Sequence, residues 1–205
     1  MNLNDLSTQL LYTTVPIWVE YAEIDGEFLI RHMDPRNDLA AVPIGSLLNQ
    51  MEVSGRYPFY RAITPDLIPE RDVLENLAAI EEITFIGYPS GLYDEHNVTP
   101  IVRRGITATP PWNNFRGQPA FLIDAGVFPG SSGSPVFLLN QGSYSSGGGL
   151  VVGSRLLFLG VLSESIVRSE SKDQQVFLGL GKVIKSYQVR LFAEEVVERL
   201  LTQRS

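Results

Sequence analysis

Short apolar segments rich in Val, Ile, Phe and Tyr alternate along the chain with clusters of Gly, Pro, Asn and Asp. This alternation is typical of β-sandwiches and β-barrels, in which short strands are joined by tight turns. Leu150–Leu162 is long and contains Gly153 and Gly160, so we expect a bent strand or a hairpin there. The other predicted strands are Val15–Ala22, Glu27–Arg31, Leu39–Ile44, Ile83–Tyr88, Ile101–Ala108, Ala120–Ile123, Pro135–Leu139 and Gln175–Ile184.

Two segments show helical spacing of their apolar residues. Pro69–Ile80 has apolar positions three and four residues apart, and Pro69 suits the first turn of a helix. Near the C-terminus an apolar stripe faces a charged side, which predicts an amphipathic helix that closes the core. The stripe consists of Val189, Phe192, Val196 and Leu200.

Composition narrows the classes of function. The 205 residues include 16 Lys and Arg against 23 Asp and Glu, a net charge of −7, which argues against binding to nucleic acid or anionic membranes. The absence of Cys argues against disulfides, thiol catalysis and cysteine-ligated metals, and only two His argue against a zinc site, so we expect no metal and no cofactor. Neither a signal-peptide pattern nor an apolar run of about 20 residues is visible, so we expect a cytoplasmic protein by default.

The segment Phe121–Phe137 carries the strongest chemical signal. An apolar strand leads into a turn, Gly-Ser-Ser-Gly-Ser-Pro, and out into another apolar strand. Gly130 and Gly133 tolerate unusual torsions, so successive backbone N–H groups of such a turn can point into one concavity. A hydroxyl beside these N–H groups is what an acyl-transfer nucleophile needs, although an ordinary polar turn fits the pattern equally well.

The flanking residues add a family resemblance. Gly130–Pro135 resembles the nucleophile loop of trypsin-like serine peptidases, Gly-Asp-Ser-Gly-Gly-Pro, and Asp124 sits where the HtrA-type bacterial branch has an aspartate, here expected to be structural. The resemblance runs from about Asp38 to the C-terminal helix. Further similar stretches are Asp38–Ala40, Phe85–Pro89, Ile101–Ile106 and Gly160–Ser163.

The resemblance implies a mainly β, two-barrel trypsin-like fold with an incomplete N-terminal barrel and a C-terminal helix. Residues 1–56 would form the partial first barrel, and residues 57–82 a connector with a short helix. Residues 83–186 would form the second barrel with the nucleophile loop, and residues 187–205 the helix. An incomplete barrel would expose a sheet edge that could pair with another copy of the chain.

By position, the resemblance also implies roles for particular residues. Ser132 would be the nucleophile, and the N–H groups of Gly130 and Ser132 would form the oxyanion hole. Asp38 would orient a histidine, and Ser163 would support that aspartate and the substrate backbone. Gly126 falls at the base of the specificity pocket, which favours a small or apolar substrate residue. Asp38 could instead cap a turn, and Ser163 could be an ordinary strand residue.

The family's catalytic histidine precedes the aspartate, and His32 is the only histidine ahead of Asp38. Its surroundings differ from the family's motif, so we expect it to belong to the connection before Asp38 rather than to act as the base. His96 lies in a polar segment and predicts a surface loop. The first barrel also looks short, because the chain starts late or because this lineage has lost that half.

The expected function is therefore hydrolysis of peptide bonds by an acyl-enzyme route, with a polypeptide as the substrate. The alternative is a catalytically inactive module that binds an extended peptide by strand addition beside Leu159–Ser163. The missing histidine favours the module, and the intact serine loop favours the enzyme. A structural β domain with an incidental serine turn would leave the ordered matches unexplained.

Overall fold

The computed structural model describes residues 29–34, 36–58, 60–146, 148–171 and 174–202. The helices are α1 (Gly45–Val53), α2 (Arg71–Glu75) and α3 (Ser186–Thr202), with 3-10 turns at Pro65–Leu67, Pro89–Gly91 and Phe115–Gly117. The strands are β1 (Ile30–Arg31), β2 (Ala40–Ala41), β3 (Glu82–Gly87), β4 (Ile101–Thr107), β5 (Ala120–Asp124), β6 (Pro135–Asn140), β7 (Ser143–Ser146), β8 (Gly149–Val152), β9 (Arg155–Ser171) and β10 (Gln174–Lys185).

Six of these strands close into an antiparallel barrel in the order β10–β5–β4–β3–β6–β9. The prediction of a mainly β fold with a C-terminal helix is thus confirmed. Closure pairs most of the strand edges within the barrel, but β9 continues to Ser171 beyond its last pairing with β6, Pro135 opposite Val161. The segment Leu150–Leu162, where we expected a bent strand or a hairpin, contains parts of two separate strands. β8 ends at Val152 and pairs with β7, and β9 begins at Arg155.

Alternate side chains of the barrel strands fill its interior. On β3, Ile83 and Phe85 are each 1% exposed, as the period of two in a strand requires. Leu77 from the connector packs against the same core, so residues before the barrel help to close it. The remaining buried members of this core are Phe121, Ile123, Ala125, Val127, Val136, Leu138, Leu159, Leu162 and Val183.

Within residues 29–34 and 36–58, the paired strands are shorter than predicted. The strand prediction Val15–Ala22 lies outside the described residues. β1 and β2 form a two-stranded sheet with Ile30 opposite Ala41, and the predicted strand Leu39–Ile44 shrinks to Ala40–Ala41. Pro43 has no N–H to extend the ladder, and α1, which the sequence analysis missed, follows at once. Within residues 29–34 and 36–58, β1 and β2 are the only paired strands.

The connector helix is also shorter than the predicted Pro69–Ile80. α2 ends at Glu75 because Asn76 turns the chain and its side-chain amide donates a hydrogen bond of 2.8 Å to the carbonyl of Asp72. The turn directs Leu77 into the barrel core, where it is 5% exposed. The helical spacing of apolar residues in Pro69–Ile80 thus includes Leu77, which is buried after the helix has ended and does not extend it.

A nearly buried ion pair fastens the end of the connector to the barrel. Glu81 accepts a hydrogen bond of 2.9 Å from the N–H of Ala78 and one of 3.3 Å from Arg155 on β9. Arg155 donates a second hydrogen bond of 3.0 Å to Asn140, and its guanidinium lies 4.2 Å from the ring centre of Tyr144. Both charged groups of the pair thus have further hydrogen-bond partners, which is the condition under which a buried ion pair is tolerated.

α3 follows β10 directly and buries Phe192 and Val196, so the predicted helix is confirmed through Thr202. Val189 and Leu200 on the same stripe are half-buried. The ring of His32 lies 5.2 Å from that of Phe192, which places the β1–β2 turn against this helix. None of the described helices is both long and apolar enough to cross a membrane.

The ion pair gives a stability prediction. Arg155→Met leaves the Glu81 carboxylate buried without its charged partner, and we expect a loss of about 3 kcal/mol in the free energy of unfolding. Arg71→Met is the matched control, because its pair with Glu75 is exposed and one helical turn apart; we expect it to change little. Urea denaturation measures both, and equal effects would contradict the anchoring role.

Candidate active site

The serine loop, defined here as Pro129–Pro135, joins β5 to β6. Gly130 and Gly133 adopt φ angles of 83° and 86°, so both lie in the left-handed region, as the sequence analysis expected. At Gly130 a Cβ atom would lie 2.8 Å from the backbone nitrogen of Ser90. A glycine is therefore required there by torsion and by space.

The backbone N–H groups of the serine loop fall into two sets, those without an acceptor and those with one. Those of Gly130 and Ser132 have no acceptor within the part of the chain that the structure describes. They are the two groups that the resemblance assigns to an oxyanion hole, and they flank an exposed hydroxyl. The engaged groups are those of Ser131 (to Phe128 O, 3.1 Å), Gly133 (to Leu162 O, 2.7 Å) and Ser134 (to Ser131 O, 3.2 Å).

β9 holds the loop from one side. The Ser132 hydroxyl donates a hydrogen bond of 2.8 Å to the backbone carbonyl of Ser163. The Ser163 side chain is itself 6% exposed and donates to the carbonyl of Lys182 on β10 at 3.2 Å. The N–H of Leu162 donates to the carbonyl of Ser134 at 2.9 Å. The structure therefore brings together Ser132 and Ser163, two of the predicted site residues.

The end of β3 holds the loop from the other side. The N–H of Ser90 donates to the carbonyl of Pro129 at 2.8 Å. A Cβ atom on Gly87 would overlap the hydroxyl of Ser134, so the strand can pack this closely only with glycine. The resemblance between Phe85–Pro89 and the family's Gly-x-Pro turn therefore falls on a direct contact with the serine loop.

Ser131 precedes the proposed nucleophile and is only 1% exposed. Its hydroxyl has no hydrogen-bond partner among the described residues. The family motif quoted above has an aspartate at this position, so the chain departs from it here. A buried hydroxyl without a partner costs stability, and buried polar groups in folded proteins rarely lack one.

The predicted pocket base, Gly126, lies against β10. Its φ is 57°, and a Cβ atom on Gly179 would lie 3.7 Å from its Cα atom. Arg103 of β4, which was not predicted as a site residue, donates a hydrogen bond of 2.6 Å to the Gly126 carbonyl. The guanidinium of Arg103 also lies 5.6 Å from the ring centre of Phe85 and 5.3 Å from that of Phe128. Because the partner carbonyl lies 23 residues away in the chain, no local sequence pattern marked Arg103.

The other predicted triad residues lie on the β1–β2 turn. Asp38 is exposed, and its carboxylate makes no hydrogen bond or ion pair with any residue that the structure describes. The imidazole Nδ1 of His32 accepts a hydrogen bond of 3.0 Å from the N–H of Asp34, and its Nε2 lies 3.4 Å from the amide of Asn37. His32 therefore belongs to the connection before Asp38, as the sequence analysis expected.

Neither histidine contacts Ser132 within the described structure. His96 lies in an exposed turn, where its N–H donates a hydrogen bond of 3.0 Å to the carboxylate of Asp94. The loop geometry thus supplies a hydroxyl and free N–H donors, and the described contacts supply no base. No cluster of three or more potential metal ligands occurs among the described residues.

One predicted peptide-binding edge needs correction. β6 pairs with β9 from Asn140 opposite Arg155 to Pro135 opposite Val161, so an added strand cannot reach Leu159 on that side. The β9 edge becomes free of β6 only after the serine loop, from Ser163 onward. A bound peptide would therefore lie beside residues 163–166 rather than beside Leu159–Ser163.

No model of a known protein family matches this chain, and no curated protein matches it either. The barrel, the serine loop and their contacts are therefore the basis for any functional conclusion.

Packing at Gly87 is testable. Gly87→Ala forces its new methyl group into Ser134, and we expect a loss of about 2 kcal/mol in the free energy of unfolding. The matched control is Gly45→Ala in α1, where a Cβ atom meets nothing within 4 Å. Thermal unfolding of both variants measures the difference. A Gly87→Ala protein as stable as the Gly45→Ala protein would show that the serine loop moves freely away from β3.

For the unpartnered hydroxyl of Ser131 we predict the opposite effect on stability from that of Gly87→Ala. Ser131→Ala removes a buried polar atom without breaking a described hydrogen bond, so stability should stay level or rise by about 1 kcal/mol. Thr107→Val is the comparison, because the buried Thr107 hydroxyl accepts from the N–H of Glu81 at 2.9 Å and donates to Ala79 at 3.0 Å. We expect Thr107→Val to destabilise. Chemical denaturation measures both, and a large loss in Ser131→Ala would mean that its hydroxyl has a partner.

Proposed function

We propose that this chain is a trypsin-like serine endopeptidase domain, with the six-stranded barrel as its second barrel and Ser132 as its nucleophile. The observation that carries this proposal is that the exposed Ser132 lies in a turn whose Gly130 and Ser132 N–H groups have no acceptor among the described residues. Two glycines in the left-handed region and contacts from β3 and β9 on both sides support it. These features make a rigid turn of the kind that acyl transfer uses.

In the proposed reaction, the Ser132 oxygen attacks the carbonyl carbon of a peptide bond. The N–H groups of Gly130 and Ser132 donate hydrogen bonds to the negative oxygen that forms. The leaving amine departs with a proton, and water then hydrolyses the acyl-enzyme. The hydrogen bond from Ser132 to the Ser163 carbonyl would break during the attack, which leaves that carbonyl free to accept from the substrate backbone.

The attack also requires a base that takes the hydroxyl proton of Ser132. His32 with Asp38 is the pair that the chain order offers. For His32 to serve, its ring would have to leave Phe192 and the β1–β2 turn would have to move toward the serine loop. A serine without such a base is a weak nucleophile.

The second candidate is a peptide-binding module without hydrolytic activity. It is favoured by one specific observation: neither histidine ring contacts Ser132 among the described residues. In this case an extended peptide would add to the free β9 edge from Ser163 onward. The serine loop would then border the groove as a binding surface.

A fluorophosphonate probe separates the two candidates. If the peptidase proposal holds, intact mass shows one covalent label per chain, and Ser132→Ala abolishes it. His32→Gln should slow labelling if His32 is the base, and His96→Gln, its matched control in an exposed turn, should leave the rate unchanged. No labelling of folded protein would overturn the peptidase proposal.

The binding module has its own test. Affinity for unstructured peptides, measured by fluorescence anisotropy, should survive Ser132→Ala. It should be lost in Ser163→Pro, which removes a backbone N–H and the side-chain bond to Lys182. A Ser163→Pro protein that is folded by circular dichroism and binds as well as the parent would rule out this edge.

A further inference from the structure

A cavity of about 600 Å³ lies between the connector, the segment before β5 and the start of α3. Its walls contain none of the serine-loop residues, so it is separate from the candidate active site. The apolar part of the lining comes from Ile68, Leu74 and Trp112. Cavities of this volume hold small organic molecules with a few fixed polar contacts.

Lys185, the last residue of β10, lines this cavity and is 4% exposed. Its ammonium donates hydrogen bonds of 3.2 Å to the carbonyl of Trp112 and 2.8 Å to the side-chain oxygen of Asn114. Both acceptors are neutral, and no described carboxylate lies within 4.0 Å of it. An ammonium has three donors, so one stays without an acceptor in the described structure. Buried lysines are almost always paired.

The other charged groups of the lining do not supply the missing anion. Arg71 is paired with Glu75 at 2.7 Å, and Arg190 lies 3.5 Å from Glu70, the only carboxylate in the cavity wall. The Nε atom of Arg190 makes no hydrogen bond to a described residue, but it lies 3.9 Å from the carboxylate of Glu194. Both arginines of the lining thus have carboxylate partners, whereas Lys185 has none among the described residues. The phenol of Tyr187 also lines it.

We propose that this cavity is a binding site for a small organic anion. A carboxylate or phosphate group would accept from the free donor of Lys185, and an apolar or aromatic body would pack on Trp112 and Leu74. The anion would pair with a buried ammonium that has only neutral acceptors in the described structure. The site does not depend on the proposed peptidase function.

The proposal implies a definite pH dependence. Burial, assisted by the nearby positive charge of Arg71, lowers the pKa of Lys185 to about 8. An anion binds the protonated amine, so affinity should be constant well below this pKa and should fall as pH rises through it. The decline should approach about tenfold per pH unit once the amine is mostly neutral.

Calorimetric titration of the full chain with phenyl phosphate and with benzoate tests the proposal, and benzyl alcohol is the neutral probe. We expect one site per chain at about pH 7, at least about tenfold weaker binding at about pH 9.5, and no binding of benzyl alcohol. Lys185→Met should weaken binding at least about tenfold at the lower pH. Lys182→Met, which removes a lysine from the same strand outside this cavity, should bind like the parent.

Absence of binding by both anionic probes at millimolar concentration would overturn the proposal. So would equal affinity in Lys185→Met, or equal binding of benzyl alcohol. If Lys185→Met does not fold, the pH series on the parent and the Arg190→Gln variant decide the question, because both should show weakened binding. Ser132→Ala should bind the anions normally, which separates this result from any failure of the peptidase proposal.

Discussion

The structure depends on the closure of the barrel at Gly160 of β9. This residue pairs with Val136 of β6 on one side and with Lys185 of β10 on the other, so both ladders meet at one position. Its φ is 151°, and a Cβ atom there would overlap the backbone oxygen of Ile184. Only glycine lets the strands approach this closely. Leu162 and Ser163 follow directly, so the same closure places the backbone atoms that hold the serine loop.

The connector is linked to this closure through the start of β9. Arg155 begins that strand, and its pair with Glu81 fixes the start of β3. β3 in turn ends at Gly87, which packs on Ser134. β3 thus lies next to the ion pair at its start and contacts the serine loop at its end. The connector and the serine loop are therefore linked through β3 by one side-chain ion pair and one close contact between the Gly87 backbone and Ser134.

Much of the barrel could be predicted from the sequence, because most of its strands contain a short apolar run that is bounded by turn residues. The serine loop could be predicted because its glycines and hydroxyls are adjacent in the chain. α1 could not, since it buries no residue and leaves only a weak pattern. Arg103 and Lys185 were missed for a different reason. Each meets its partners across the fold, Lys185 at 71 to 73 positions away, and no local pattern encodes such contacts.

The two functional candidates differ in the proton acceptor and not in the loop. Each oxyanion donor typically contributes about 3 kcal/mol to the transition state, and donors and binding alone leave a residual acceleration of about 10³-fold to 10⁴-fold over water. Free N–H groups on an exposed turn are satisfied by water, so a binding module could retain them at little cost in stability. Under either proposal, the free N–H groups of the serine loop would therefore bind a carbonyl group. Whether that carbonyl is cleaved depends on how closely the β1–β2 turn, with His32 and Asp38, can approach Ser132.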